Sequence, residues 1–289
     1  MSERGNIVSF FEEILRIFDT QMTKPTLFGW FHILWIVLVI LGSLGLCLLH
    51  KKKAPNVSGV VLAISVVVAL LEIYKQINYS FSYGNGIHFD FQWYAFPFQF
   101  CSTPMYVGLL AGIFRKGKLH DALCAYLATF SVFAGVCVTI YPGDVFVGTV
   151  GINIQTMICH GSMIVLGVYL FYSGHVKAAF KTLLKAVPVF AVCVALAALM
   201  NELANMTGLL ERETFNMFFI SPHCEGTLPV YSLVQQAVPF PFCLIIYIGI
   251  FSLAAYVILL AAMAIKKLLD TSSAKRSAKE EFKEVKGTH

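Results

Sequence analysis

The chain has 289 residues, of which 58% are hydrophobic and 13% are charged, and its formal net charge is +5. Because soluble domains carry about 25% charged residues, this composition excludes an ordinary soluble protein and favours a chain that crosses a membrane several times. The sequence lacks the alternating pattern of a β-barrel, so we predict that helices cross the membrane.

Residues 1–24 predict an amphipathic helix that lies on the membrane surface. Their apolar residues, beginning at Ile7, Phe10, Phe11 and Ile14, follow the spacing of one helical face. Charged residues occupy the other positions, as in interfacial helices. The segment lacks the basic start and apolar centre of a secretory signal peptide, so we do not expect it to be cleaved.

Seven apolar segments follow within residues 25–266, each close to the ~20 residues that a helix needs to cross a bilayer. We therefore predict an all-α, polytopic membrane protein with seven transmembrane helices. The predicted helices are 27–49, 57–78, 95–114, 119–141, 150–173, 181–204 and 240–265.

The distribution of Lys and Arg predicts the orientation of these helices. Sixteen of the 21 Lys and Arg residues fall in loops 50–56 and 115–118, in residues 174–185, or in the chain from Lys266 onward. Since cytoplasmic loops are enriched in Lys and Arg, we expect the N-terminus outside and the C-terminus inside a multi-pass protein of the cell membrane. Residues 267–289 then form a charged cytoplasmic tail, which we expect to be loosely ordered.

Two segments on the predicted outer side are longer than simple connections. Residues 79–94 are rich in aromatic residues and glycine, and residues 205–239 form a connection of 35 residues. Loops of that length often act as lids or binding loops. We expect both to cover a pocket on the outer side.

Polar side chains inside the predicted helices cluster toward this same side, which favours one polar chamber. Cys101 and His160 lie in the outer halves of the third and fifth predicted helices. The other members are Glu72, Gln76, Asn153, Thr156 and Asn201. Gly108 and Gly112 have the GxxxG spacing that allows close helix packing, which turns Cys101 away from lipid.

A thiol and an imidazole in one chamber form a nucleophile–base pair suited to acyl transfer. In this hypothesis His160 accepts the proton of Cys101 and returns it to the leaving oxygen. Glu72 either orients His160 or forms an ion pair with Lys75 at i+3. Candidate oxyanion donors are Gln99, Ser102, Thr103 and Asn201. The alternative is that Cys101 and His160 are packing residues.

The eight cysteines do not indicate a metal site or a disulfide framework. Most lie in apolar segments, where a free thiol behaves as a small hydrophobic residue. The sequence shows no Cys-x-x-Cys motif and no zinc-type His/Cys spacing, and no third ligand falls at suitable spacing near His160. We therefore expect no metal and no cofactor.

Several short motifs resemble those of the bacterial YwaF-like integral membrane proteins and their animal relative, transmembrane protein 164. Residues 97–101 resemble the family's Pro-Leu-His-Leu-Cys run, and the His160 segment resembles its His-containing helix. Asn201 and Asn216–Phe219 resemble its later Asn elements. The resemblance covers most of residues 27–265. The chain departs from the family in having Gln99 where a His is usual.

The resemblance implies a membrane-embedded phospholipid acyltransferase that works through a thioester, with Cys101 as nucleophile and His160 as base. The animal relative is regarded as an enzyme that remodels phospholipids, including ether-linked ones. We therefore expect phospholipids and lysophospholipids as partners, and no nucleic acid. Two alternatives stay open. One is a lipid-ester hydrolase with the same pair, since the family also resembles membrane hydrolases with a Thr–His pair. The other is a seven-helix transporter or receptor with no enzymatic activity.

Overall fold

The computed structural model of the chain describes residues 2–84, 86–207, 215–224 and 228–287. The elements in chain order are α1 (Ser2–Phe18), α2 (Trp30–Lys53), α3 (Val57–Ser80), β1 (Phe81–Ser82), β2 (His88–Phe89), α4 (Thr103–Ile113), α5 (Lys118–Ala128), α6 (Phe130–Ile140), α7 (Val150–Tyr172), α8 (Phe180–Met206), α9 (Pro229–Ala237) and α10 (Phe240–Gly287). The predicted helical class is confirmed.

Within the described ranges, six helices are long and apolar enough to cross a membrane. They are α2, α3, the α5–α6 pair (Lys118–Ile140), α7, α8 and the first part of α10 (Phe240–Leu268). Large apolar side chains on the outer helices, such as Leu41 of α2 and Leu253 of α10, are more than half exposed. Lipid rather than water is the solvent that suits such surfaces. The chain is therefore a multi-pass helical membrane protein.

The third predicted helix differs from the prediction. Its helical part is α4, which has 11 residues and extends about 17 Å at 1.5 Å per residue, whereas a hydrocarbon core is about 30 Å thick. Residues 96–102 before it form turns. Pro97 and Pro104 account for this start, because proline is disfavoured in helix interiors and suits the first turn. Where seven long helices were predicted, the described chain has six long ones and this short one.

Gly108 and Gly112 bring α4 close to α3, as the GxxxG spacing predicted. A Cβ at Gly112 would lie 2.6 Å from the Cβ of Leu62, and a Cβ at Gly108 would overlap the hydroxyl of Ser65. Gly108 meets Ser65, whereas the later Gly112 meets the earlier Leu62. The helices α4 and α3 therefore run antiparallel. Cys101, which precedes α4, consequently lies beside the second half of α3.

Aromatic rings fill the centre of the bundle and anchor its non-helical segments. Phe190 of α8 stacks on Phe130 of α6, with ring centroids 4.4 Å apart. Two rings from non-helical segments join this cluster, because Phe100 lies 5.3 Å and Phe218 lies 6.2 Å from Phe190 between centroids. The core thus fixes the two segments that form much of the site described below.

α1 lies within the predicted N-terminal segment, and it packs at the end of α3. The hydroxyl of Tyr74 and the amide of Asn78 donate hydrogen bonds to the carbonyl of Phe18, at 2.7 and 3.1 Å. Phe10 and Phe11 stay more than half exposed. An exposed apolar helix face of this kind is typical of a membrane-surface helix.

The predicted tail and long loops contain more structure than expected. α10 continues through residues 267–287 as one helix of 48 residues, because the Ala, Lys and Glu of this segment are strong helix formers. The first long loop contains an antiparallel pairing of β1 with β2. In the second, α9 follows a 3₁₀ turn at Met217–Phe219. Asn85 and residues 208–214 and 225–227 of these loops, and residues 288–289 of the tail, lie outside the described residues.

Candidate functional site

A cavity of about 910 Å³ lies at the end of the bundle where α3 ends and α7 begins. We call this cavity the chamber. Both Cys101 and His160 line it, together with parts of α3, α7 and the non-helical residues 94–102, 144–147 and 216–224. Irregular backbone inside a membrane bundle is tolerated where it lines a cavity. Its volume falls in the range of about 300–1,000 Å³ that is usual for ligand sites.

Cys101 enters the chamber from the turn before α4. The amides of Ser102 and Thr103 both donate to the carbonyl of Gln99, at 2.8 and 3.1 Å, and fix the backbone that follows the thiol. The side chain of Cys101 is half-buried. Because the N-terminus of a helix favours negative charge, an oxyanion that develops on a carbonyl beside Cys101 lies in a favourable field.

One ring nitrogen of His160 contacts a backbone carbonyl and the other has no partner among the described residues. Its Nδ1 lies 2.7 Å from the carbonyl oxygen of Thr156, and because a carbonyl only accepts, Nδ1 carries the proton. Nε2 is then the unprotonated nitrogen. It is buried and makes no hydrogen bond to any described residue. The lone pair of Nε2 is therefore not engaged by any described residue.

Glu72 lines the chamber but does not orient His160. Its Oε1 accepts hydrogen bonds from Lys75 at 2.7 Å and from Gln76 at 2.8 Å, and its Oε2 accepts from Gln155 at 3.4 Å. Of the two roles considered for Glu72, the structure shows the ion pair at i+3. The backbone carbonyl of Thr156 orients the imidazole of His160 instead.

Gln99 joins the two non-helical segments that form one wall of the chamber. Its amide nitrogen donates to the carbonyl of Asn216 at 3.0 Å, and its amide oxygen accepts from the backbone nitrogen of Phe218 at 2.8 Å. Phe218 and Phe219 have φ values of 59° and 57°, a region that bulky residues rarely adopt. The side chain of Gln99 thus holds a strained turn in place.

Asn201 holds the same turn from the opposite side. Its amide oxygen accepts from the nitrogen of Met217 at 2.7 Å, and its amide nitrogen donates to the carbonyl of Met217 at 3.1 Å. Asn201 is buried and does not line the chamber. We call the contacts of Gln99 and Asn201 with residues 216–218 the amide clamp.

Replacing Asn201 by alanine is expected to lower the free energy of unfolding by about 2 kcal/mol. The change leaves the backbone nitrogen of the buried Met217 without a partner, and its carbonyl keeps only the long bond from the nitrogen of Ile220 at 3.4 Å. An unpaired buried group costs about 1–3 kcal/mol. Reversible unfolding in mixed detergent micelles measures the loss. Asn205→Ala on the same helix is the matched control, because Asn205 is exposed, and its effect is expected within about 0.5 kcal/mol. Equal effects of the two changes contradict the amide clamp.

Four of the eight supporting residues chosen from sequence line the chamber and four do not. The lining residues are Glu72, Gln99, Thr156 and Asn216, and the others are Gln76, Thr103, Asn153 and Asn201. Thr103 bonds the hydroxyl of Tyr126 at 2.7 Å, and Asn153 bonds both backbone groups of Val147 at 2.8 and 2.9 Å. Their polar atoms stabilise the packing around the chamber.

The chamber also contains groups that were not among the predicted site residues. Lys75 is the one Lys or Arg among the described lining residues, and Cys159 and Cys224 are two further thiols. His223 lines the chamber as well, with its Nε2 3.1 Å from an oxygen of Glu202. Lys75 follows the selected Glu72 by three positions, so helical spacing was a usable signal for Lys75. Cys159 directly precedes His160, and adjacent helical residues do not share a face, so spacing was no signal for Cys159.

A family model described as the TMEM164 family matches residues 27–263. This range begins just before α2 and ends within the apolar part of α10, so it contains every residue named in the chamber. No curated protein and no solved structure matches the chain.

Proposed function

The chain belongs to the TMEM164 family, and from this premise we propose that it is a phospholipid acyltransferase whose chamber holds the reacting groups. Cys101 is the nucleophile and His160 is the general base. The observation that carries the proposal is that His160, whose buried Nε2 has no partner among the described residues, lines the same chamber as Cys101. A nucleophile needs such a base nearby, since the thiolate rather than the thiol attacks.

The first half-reaction transfers an acyl group from a phospholipid to Cys101. Nε2 of His160 takes the thiol proton while Sγ attacks the ester carbonyl, and the proton then passes to the oxygen of the departing lysophospholipid as the C–O bond breaks. In the second half-reaction the hydroxyl of an acceptor lysolipid gives its proton to Nε2 and attacks the thioester. The same proton returns to Sγ as the C–S bond breaks.

No hydrogen bond joins Cys101 to His160 within the described chain. In enzymes without substrate the catalytic hydrogen bonds are often long, and they shorten when substrate binds. The proposal therefore includes a small closure of the chamber on the lipid. The ion-paired Lys75 lies where it can attract a phosphate group.

Gln99 is compatible with activity in this proposal. Its side chain both donates and accepts one hydrogen bond in the amide clamp, and a neutral imidazole also offers one donor and one acceptor. We infer that Gln99 takes the structural place of the His that is usual in the resembling family. Catalysis then does not depend on a second imidazole at this position.

The location of the chamber in the membrane is part of the proposal. The distribution of Lys and Arg favours an N-terminus outside the cell, seven crossings that include α4 and its preceding turn, and a chamber open to the outer leaflet of the cell membrane.

Intact-mass spectrometry after incubation with phospholipid tests the nucleophile. The wild-type protein is expected to gain one fatty-acyl mass that hydroxylamine removes, and Cys101→Ala is expected to gain none. Cys137→Ala is the matched control, because this thiol is exposed and lies outside the chamber. Cys159→Ala and Cys224→Ala check the two other chamber thiols and are expected to keep the adduct.

The reaction products distinguish acyl transfer from hydrolysis and from ligand binding alone. Release of the acyl group only when lysolipid is added supports acyl transfer, and release to water supports a lipid-ester hydrolase. An adduct that persists in Cys101→Ala contradicts the nucleophile assignment. Absence of both an adduct and lipid turnover favours a chamber that only binds its ligand.

A further inference from the structure

Three potential metal ligands meet at the end of α7 that lies away from the chamber. His120 and Cys124 are one turn apart on α5, and His175 lies in the connection between α7 and α8. The ligand atoms of the three side chains all lie within 4.8 Å of one another. Among the described residues, this is the one group of three or more His, Cys, Asp or Glu side chains that meets this distance.

The surroundings of His120 fix which nitrogen faces the other two side chains. Its Nδ1 lies 2.9 Å from the carbonyl oxygen of Ala111, near the end of α4, where helical carbonyls lack partners within the helix. Nδ1 therefore carries the proton, and Nε2 presents its lone pair to Nε2 of His175, 2.7 Å away. A histidine that ligates a metal commonly has its other nitrogen held by a backbone carbonyl in this way.

We propose that His120, Cys124 and His175 form a binding site for a zinc-class divalent metal ion. Two imidazole nitrogens and one thiolate are a ligand set that zinc takes, with a fourth position open to solvent or to a further ligand. Asp121 is not available for that position, because it pairs with Lys185 at 2.8 Å. The ion would join α5 to the connection after α7.

The observed distances are close to those of a tetrahedral site. Bond lengths of about 2.3 Å to sulfur and about 2.05 Å to nitrogen place the ligand atoms about 3.5 Å (S to N) and about 3.3 Å (N to N) apart. Sγ of Cys124 lies 3.5 Å from Nε2 of His120. The two Nε2 atoms lie 2.7 Å apart, so they must separate by roughly 0.6 Å to accept the ion.

Two small rearrangements complete the site. Sγ of Cys124 also lies 3.9 Å from Nδ1 of His120, which places the sulfur beside the ring, so its rotamer must turn toward the lone pair of Nε2. His175 is exposed and can move its proton from Nε2 to Nδ1.

Titration of the purified full-length protein with Co²⁺ and then Zn²⁺ tests the proposal. Chelator-treated protein in detergent micelles is expected to bind one Co²⁺ with a thiolate-to-metal charge-transfer band, and one equivalent of Zn²⁺ is expected to remove that band. Each ion bound displaces the thiol proton of Cys124 into the buffer. His175→Ala is expected to weaken binding at least about 100-fold.

Matched variants keep the test independent of folding defects. Cys124 is fully buried, so Cys124→Ala can fail to fold and then gives no information. His175 is exposed, and the decisive comparison is therefore between His175→Ala and the wild type. Cys137→Ala and His223→Ala remove a thiol and an imidazole elsewhere and are expected to bind as the wild type does. Absence of the band from the wild type, or equal affinity in His175→Ala and the wild type, overturns the proposal. Activity of the chamber has no part in these measurements.

Discussion

Replacement of His160 by alanine is expected to slow the acylation of Cys101 by about 10²- to 10⁴-fold, the usual contribution of a positioned general base. The expected loss follows from the position of Nε2, which is unprotonated, buried and without a hydrogen-bond partner among the described residues. Single-turnover formation of the acyl-enzyme, followed by mass spectrometry, measures this step without product release.

The pH dependence of the same step separates a base from a packing residue. In His160→Ala, higher pH is expected to restore part of the lost rate, because hydroxide then removes the thiol proton. If His160 only packs against its neighbours, the wild type and the variant respond to pH in the same way, and the ratio of their rates stays constant. His223→Ala is the control, since His223 also lines the chamber but pairs with Glu202. An unchanged acylation rate in His160→Ala contradicts its assignment as the base.

Replacement of Glu72 by alanine is expected to lower the free energy of unfolding by about 3 kcal/mol. Glu72 is buried and pairs with Lys75 at 2.7 Å, and removal of one partner leaves the other charge inside the bundle without compensation. The hydrogen bonds from Gln76 and Gln155 to the carboxylate are lost as well. Reversible unfolding in mixed micelles measures the change.

A double variant tests whether the uncompensated charge is the cause. Glu72→Gln combined with Lys75→Met removes both charges and is expected to recover most of the stability lost in Glu72→Ala, because neutral replacements of a buried pair are often well tolerated. Glu13→Ala is the control, as Glu13 is exposed on α1, and its effect is expected within about 0.5 kcal/mol. A cost below about 1 kcal/mol for Glu72→Ala shows that Lys75 is solvated within the chamber.

Helix positions could be predicted because each long apolar run satisfies its backbone internally, which a bilayer requires. For residues 95–114, the prediction of one long helix was wrong. Their hydrophobicity is continuous, but the turns that precede α4 are stabilised by contacts with residues more than a hundred positions away, such as the bonds of Gln99 to Asn216 and Phe218. Hydrophobicity alone carries no information about such distant partners.

Polar residues of the site could be found from the sequence, but their roles could not. Glu72 and Asn201 were both selected because a polar group in a membrane helix is costly. Whether such a group faces a cavity or bonds to backbone depends on side-chain packing, and Asn201 bonds to Met217. The His120 cluster escaped notice because His175 lies 55 residues further along the chain.

The amide clamp also has a consequence for the order in which the protein is made. Gln99 bonds a residue 119 positions later, and synthesis proceeds from the N-terminus. Most of the bundle must therefore leave the ribosome and enter the membrane before the turn that carries Cys101 is held in place. A nascent chain that ends after α8 contains both Cys101 and His160 but lacks the turn at residues 216–218. On the proposed mechanism, the protein becomes reactive toward lipid only at a late stage of biogenesis. An incomplete chain therefore does not react with the lipids of the membrane.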